Sequence, residues 1–106
     1  MSVAVIEKKG NVLHVRPEIR LNTASTQLLE RELQPYLDDS FQQIVMDFSR
    51  VDYITSSTLR LLLQLEQMME ELGGDILVVH VGKTVLNIME LSGFIEVVRV
   101  VPEENA

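Results

Sequence analysis

Between Ile44 and Leu65 the chain reads IVMDFSRVDYITSSTLRLLLQL. A short strand pattern runs into a helical pattern rich in Leu, and the helix would begin inside a run of four hydroxyl residues, Thr55, Ser56, Ser57 and Thr58. Strands joined through a helix pair in parallel, by right-handed crossovers. With the strand pattern that follows at Asp75–Val81, that junction predicts a β-α-β unit. An N-cap needs only one side-chain oxygen for the free N–H groups of a helix start. Four hydroxyls exceed that need. A helix N-terminus also carries partial positive charge and spare donors, which suit a phosphate. Two readings follow. A hydroxyl here, with Ser56 the first candidate, is a phosphorylation switch, or the cluster is a Ser/Thr-rich cap and nothing more.

The remaining elements extend the β-α-β theme. Val3–Glu7 and Val12–Arg16 alternate with a period near two around Gly10-Asn11, which predicts a β-hairpin. Asn22 or Thr23 should cap a helix whose apolar stripe is Leu28, Leu29, Leu33, Tyr36 and Leu37. Pro35 should kink or end that helix near its last turn. Gln43–Phe48 is a strand. The second helix is expected from about Ser56 to Leu72, stopped by Gly73-Gly74. Asp75–Val81 reads as a buried strand, Lys83–Leu91 as a short helix closed by Ser92-Gly93, and Glu96–Val101 as a last strand ended by Pro102. The order β-β-α-β-α-β-α-β predicts an α/β fold, a mixed β-sheet with helices packed on it, as one domain over residues 1–106. Sites on such sheets gather at the carboxyl ends of the strands, where the hydroxyl cluster falls.

Composition narrows the chemistry. The chain has no Cys and no Trp, which excludes disulfides, thiolate metal sites and Cys nucleophiles. The formal net charge is −7, with nine Lys and Arg and no run of them, which argues against direct nucleic-acid binding. Acidic residues (Glu30, Glu32, Asp38, Asp39, Glu66, Glu70, Glu71, Glu103 and Glu104) fall on helix faces and toward the C-terminus. Such a surface favours solubility and a basic protein partner. No apolar run could span a bilayer and the N-terminus lacks a signal-peptide h-region, so a cytoplasmic protein without membrane insertion is expected.

On a helical wheel Thr58, Leu61, Leu62, Leu65, Met68, Met69 and Leu72 share one broad face of the second helix, the expected core side. Leu59 and Leu63 fall off that stripe, on the side of Ser56, Arg60 and Gln67. Stacked leucines one turn from a hydroxyl cluster suggest an interaction surface, although scattered exposed Leu residues are ordinary.

The ordered motifs resemble the STAS family, specifically its single-domain anti-sigma factor antagonists, over nearly the whole chain. LNTAS, Leu21–Ser25, is similar to the family's L-D-x-x-[ST] approach to the first helix. IVMDFSRVDYITSSTLRLLL is similar to V-x-D-[LF]-S-x-[VL]-x-x-[IM]-D-S-S-G-L. GGDILVVHVGKTVLNIMELSGF resembles the family's later strand, helix and L-x-G close. The resemblance implies partner switching. The unphosphorylated protein would bind an anti-sigma factor that is a serine kinase of the GHKL fold. Phosphorylation of the serine aligned with Ser56 would end the complex, and a PP2C-type phosphatase would restore it. Ser57 aligns with the second serine of the motif. Thr55 stands where the family usually has Asp, Thr58 where it has Gly, and Asn22 where Asp is frequent. Loss of two carboxylates could ease phosphorylation, since anionic neighbours repel a phosphate. It could equally remove what a kinase recognises. Thr58 needs room for its methyl where Gly would leave space.

Other chemistries fit poorly. Gly82-Lys83-Thr84 mimics the end of a P-loop, but the required first glycine position is Leu77, and a strand-to-helix turn explains the three residues. Ser56 with His80 lacks a G-x-S-x-G elbow. His80 reads as a strand-end residue and His14 as solvent-facing, with no carboxylate cluster to make a metal site. Asp47 should fix the following loop by hydrogen bonds. No cofactor is expected, and the protein reads as a substrate of enzymes rather than an enzyme. The alternative function is a constitutive, unphosphorylated STAS subunit of a larger regulatory or transporter assembly.

Overall fold

The computed structural model describes residues 2–37 and 41–103. Asp38, Asp39 and Glu104, expected among the surface acids, lie outside that set. The described elements are β1 (Ala4–Lys9), β2 (Val12–Pro17), α1 (Thr23–Leu37), β3 (Gln43–Asp47), α2 (Ser56–Glu71), β4 (Asp75–Val81), α3 (Lys83–Leu91), a single 3-10 turn (Phe94–Glu96) and β5 (Arg99–Pro102). The sheet order is β1-β2-β3-β4-β5. β1 and β2 are antiparallel, and every later neighbour pair is parallel. The hairpin closes at Lys9 and Val12, with Gly10 at φ +60° in the first loop position, as a type II′ turn requires.

Burial alternates along the strands. Leu13 and Val15, Ile44 and Met46, and Ile76 and Val78 are buried, while Val45, Leu77 and Val79 between them are half-exposed. One face of the sheet is therefore packed, and β4 is not buried on both faces as its unbroken apolar run suggested. Leu29 and Leu33 of α1, Leu61, Leu62, Leu65 and Met69 of α2, and Val85 and Met89 of α3 join those strand residues in one core.

Several boundaries and faces differ from the sequence reading. β1 runs two residues further, to Lys9. Residues 94–98 are not strand: a 3-10 turn follows Gly93 at φ +76°, and the Val97 and Val98 N–H groups both donate to the Phe94 carbonyl, at 3.0 and 3.1 Å. β-branched composition imitates a strand there, while the buried Phe94 and Val98 hold the turn. α1 turns Ser25, Thr26, Leu29 and Leu33 inward, which leaves Leu28 exposed and Tyr36 and Leu37 half-buried. Pro35 sits inside the last turn of that helix. Leu72 is the C-cap of α2 and stands exposed, since Gly73 at φ +78° turns the chain away. A Cβ at Gly74 would meet the Gln42 carbonyl, so the second glycine permits the close return to the sheet.

Candidate functional site

β2, β3 and β4 are parallel, so α1, α2 and α3 all begin at the carboxyl edge of the sheet. There the starts of α1 and α2 lie side by side. Leu21 and Ile54 form an isolated parallel bridge, and the Leu21 N–H donates to the Tyr53 carbonyl at 3.2 Å. Arg20 stacks over the Tyr53 ring at 5.1 Å and pairs with Asp52 at 3.2 Å.

The four hydroxyls of the α2 start divide their work. Thr55 is the N-cap, extended at φ −121° and ψ 176°, yet no side chain caps the helix. The Thr55 hydroxyl oxygen is buried without a hydrogen-bond partner among the described residues. Thr55 and Thr58 stand as a capping-box pair, but only one arm is a hydrogen bond, from the Thr55 backbone N–H to Thr58 Oγ1 at 3.3 Å; the Thr55 hydroxyl lies by the Thr58 N–H without bonding it. Thr58 is buried, as its place on the core stripe predicts. Its hydroxyl meets the Leu21 carbonyl at 3.2 Å and Thr26 Oγ1 at 3.1 Å. The methyl that Gly would lack comes with a hydroxyl that ties α2 to α1. Ser57 donates to Thr23 Oγ1 at 3.3 Å. Ser56 is exposed and makes no side-chain hydrogen bond among the described residues. Neither helix has an acidic residue in its first turn.

Asn22, Thr55, Ser56, Ser57 and Thr58 are thus brought together, with Thr23, Ser25 and Thr26 joining them from α1. The sequence reading did not single out these last three as site residues, although Asn22 and Ser25 carry the spacing of a capping box. Arg60 and Gln67 are exposed on α2. Leu59 and Leu63 do not stand free: both are half-buried and packed against the core. The wheel treated the core stripe as narrower than it is.

At the same edge Asp47 Oδ1 accepts the Ser49 N–H at 2.9 Å and meets His80 Nδ1 at 3.0 Å. Burial works to raise the Asp47 pKa, but the Ser49 backbone N–H and His80 outweigh it and hold the carboxyl below the usual aspartate value. Asp47 anchors the loop leading toward α2, as the sequence suggests. His80, exposed at φ +56°, occupies a β-bulge that shifts the phase of β4 and buries Val81 in its place. His14 is exposed. Gly82 caps α3 in an ordinary strand-to-helix turn. No cluster of metal-ligating side chains occurs among the described residues, and none of the described helices is long and apolar enough to cross a membrane.

Residues 3–106 match the STAS domain family, and the chain belongs to it. BtrV of Bordetella bronchiseptica, described as a candidate anti-sigma factor antagonist, is 30% identical over 77 residues, or 73% of this chain and 66% of that protein. The chain thus spans about two thirds of the length of the curated relative it matches. The crystal structure of a candidate anti-sigma factor antagonist from Thermotoga maritima superposes with TM-score 0.86 at 17% identity, covering 96% of this chain and 88% of that one. The anti-sigma factor antagonist SpoIIAA in its unphosphorylated form gives 0.80 at 17% identity, with 96% and 90% covered. These two likenesses establish the fold.

Proposed function

We propose that this STAS domain is an anti-sigma factor antagonist that works by binding, and that phosphorylation of Ser56 releases its partner. The partner would be an anti-sigma factor with serine-kinase activity of the GHKL fold, and a PP2C-type phosphatase would return the domain to its binding form. The observation that carries this reading is the start of α2. Ser56 is exposed there and makes no side-chain hydrogen bond among the described residues, on a helix N-terminus without a side-chain cap hydrogen bond among them. A phosphate at that position would meet free N–H groups and the positive end of the helix. The carboxylate of the preceding loop, Asp52, is already paired with Arg20. The relatives' descriptions as anti-sigma factor antagonists support the same reading. Release follows from physics: a phosphate forced into a desolvated contact costs free energy unless the partner supplies a cation.

The binding surface would run from Ser56 along the exposed flank of α2 through Arg60 to Gln67, with the outer edges of Leu59 and Leu63 beside it. Since Leu63 packs on the core, a charge there would disturb folding as well as binding, and Arg60 is the cleaner probe. The decisive experiment incubates the chain with such a kinase and ATP and measures intact and fragment masses. One phosphate on Ser56, absent in Ser56→Ala, is expected. A kinase that binds the chain but leaves its mass unchanged favours the constitutive subunit instead.

A further inference from the structure

Opposite the Ser56 edge, α2 and α3 end beside the amino ends of β4 and β5. Leu72 is 63% exposed, Leu91 83%, Ile95 42% and Val97 52%. Their segments end at the same edge because β4 and β5 are parallel neighbours, each entered from that side. Leu77 pairs with Arg99, so β5 begins beside the middle of β4, and Arg99 reaches back to Asp75 at 3.1 Å. Leu72 immediately precedes the Gly-Gly turn into β4, while Leu91 and Ile95 lie just upstream of Val97. Isolated exposed leucines are ordinary, but four large apolar side chains gathered at one edge mark a contact surface.

The surrounding charge selects the occupant. Glu70, Glu71, Glu90 and Glu96 are exposed on the same segments and make no ion pair among the described residues. Arg99, the basic residue at this edge, is occupied by Asp75. Burial first, and then the charges of Glu70 and Asp75, raise the Glu66 pKa. We propose that this edge is a second docking surface, independent of Ser56, and that it takes a basic amphipathic segment of a partner protein. Apolar side chains of the segment would cover Leu72, Leu91, Ile95 and Val97, and its Lys or Arg residues would meet the acidic rim. A second copy of this chain would set glutamates against glutamates, and an anionic lipid surface would be repelled.

The test uses the whole isotope-labelled chain and a synthetic amphipathic helix of Lys and Leu. Amide shifts are followed for that peptide, for a scrambled peptide of the same composition, and for a Glu/Leu counterpart. Saturable shifts confined to residues around 70–75 and 90–99 are expected with the first peptide alone. Leu91→Glu should weaken binding by about tenfold or more, as loss of a central apolar anchor does. Leu72→Glu serves if that variant folds poorly. Ser56→Asp should leave the peptide affinity unchanged, which separates this surface from the proposed switch. Equal binding of the scrambled peptide, or shifts centred on Ser56, overturns the proposal. So does a dimer abolished by Leu91→Glu, or binding to phosphatidylserine vesicles.

Discussion

The starts of α1 and α2 are built from the same kinds of short polar residue, lie side by side, and are finished differently. At α1, Asn22 Oδ1 accepts the Ser25 N–H at 2.9 Å and Ser25 Oγ accepts the Asn22 N–H at 2.9 Å, a box closed in both directions. Ser25 also donates to the Arg20 carbonyl at 2.6 Å. At α2 the equivalent pair is in place but bonded in one direction only: among the described residues the Thr55 hydroxyl makes no hydrogen bond, while that of Thr58 accepts the Thr55 N–H and also reaches Leu21 and Thr26. A hydroxyl-rich helix start therefore need not be a cap. One start uses its polar groups to satisfy its own backbone. The other uses them to join two elements and leaves its first N–H groups available to an anion.

The largest effect should come from the residue shared by both starts. Thr58→Val keeps the shape but strands the Leu21 carbonyl, the Thr26 hydroxyl and the Thr55 N–H in a buried place. The expected loss is about 1–3 kcal/mol, and each kcal/mol lowers the Tm of a domain this size by about 4–8 °C. A melt unchanged from wild type would mean that this hydroxyl is not the link between the helices. Asn22→Ala comes next. It opens the closed box and should cost about 1 kcal/mol in a denaturant titration. No loss would erase the distinction between the two starts from the α1 side.

How legible this was depends on range. β4 and α3 were read to the residue, because Gly73-Gly74, Gly82 and Ser92-Gly93 punctuate them and each carries an unmixed pattern. The parallel part of the sheet, β2 to β5, follows from strand–helix alternation. β5 was placed too early because Ile95, Val97 and Val98 have strand composition, and only the packing of Phe94 and Val98 shows the turn. Periodicity puts Leu28 and Leu72 inside and Leu59 and Leu63 outside, whereas the structure exposes the first two and packs the second two on the core, because periodicity does not give the width of the groove a helix settles into. The cluster of hydroxyls was visible, but its division of labour was not. Which oxygen caps and which bridges depends on Leu21 and Thr26, more than thirty residues away in the chain.

Two smaller effects test the open end itself. Ser56→Asp places a carboxylate at the free N-terminus of α2 and should stabilise the domain by about 0.3–1 kcal/mol at low salt. The gain should fade at about 1 M salt, where the Debye length falls to about 3 Å. A destabilised Ser56→Asp at low salt would mean that the site does not welcome an anion.

Thr55→Val should have the smallest effect and is the sharpest test. The Thr55 hydroxyl oxygen is buried without a hydrogen-bond partner among the described residues, so removing it should forfeit no hydrogen bond, and Val reproduces its shape. A buried polar group without a partner is itself a cost, so the variant should match wild type within about 0.5 kcal/mol or slightly exceed it. The extended backbone at this position also suits a β-branched side chain. A loss near the ~1 kcal/mol expected for Asn22→Ala would show that Thr55 caps α2 in solution after all. The two helix starts would then be alike, and the seat for a phosphate would already be filled. Thr55→Asp probes the same point from the other side. A carboxylate at the N-cap can occupy the free N–H groups, so it should stabilise the unmodified domain while slowing addition of phosphate to Ser56.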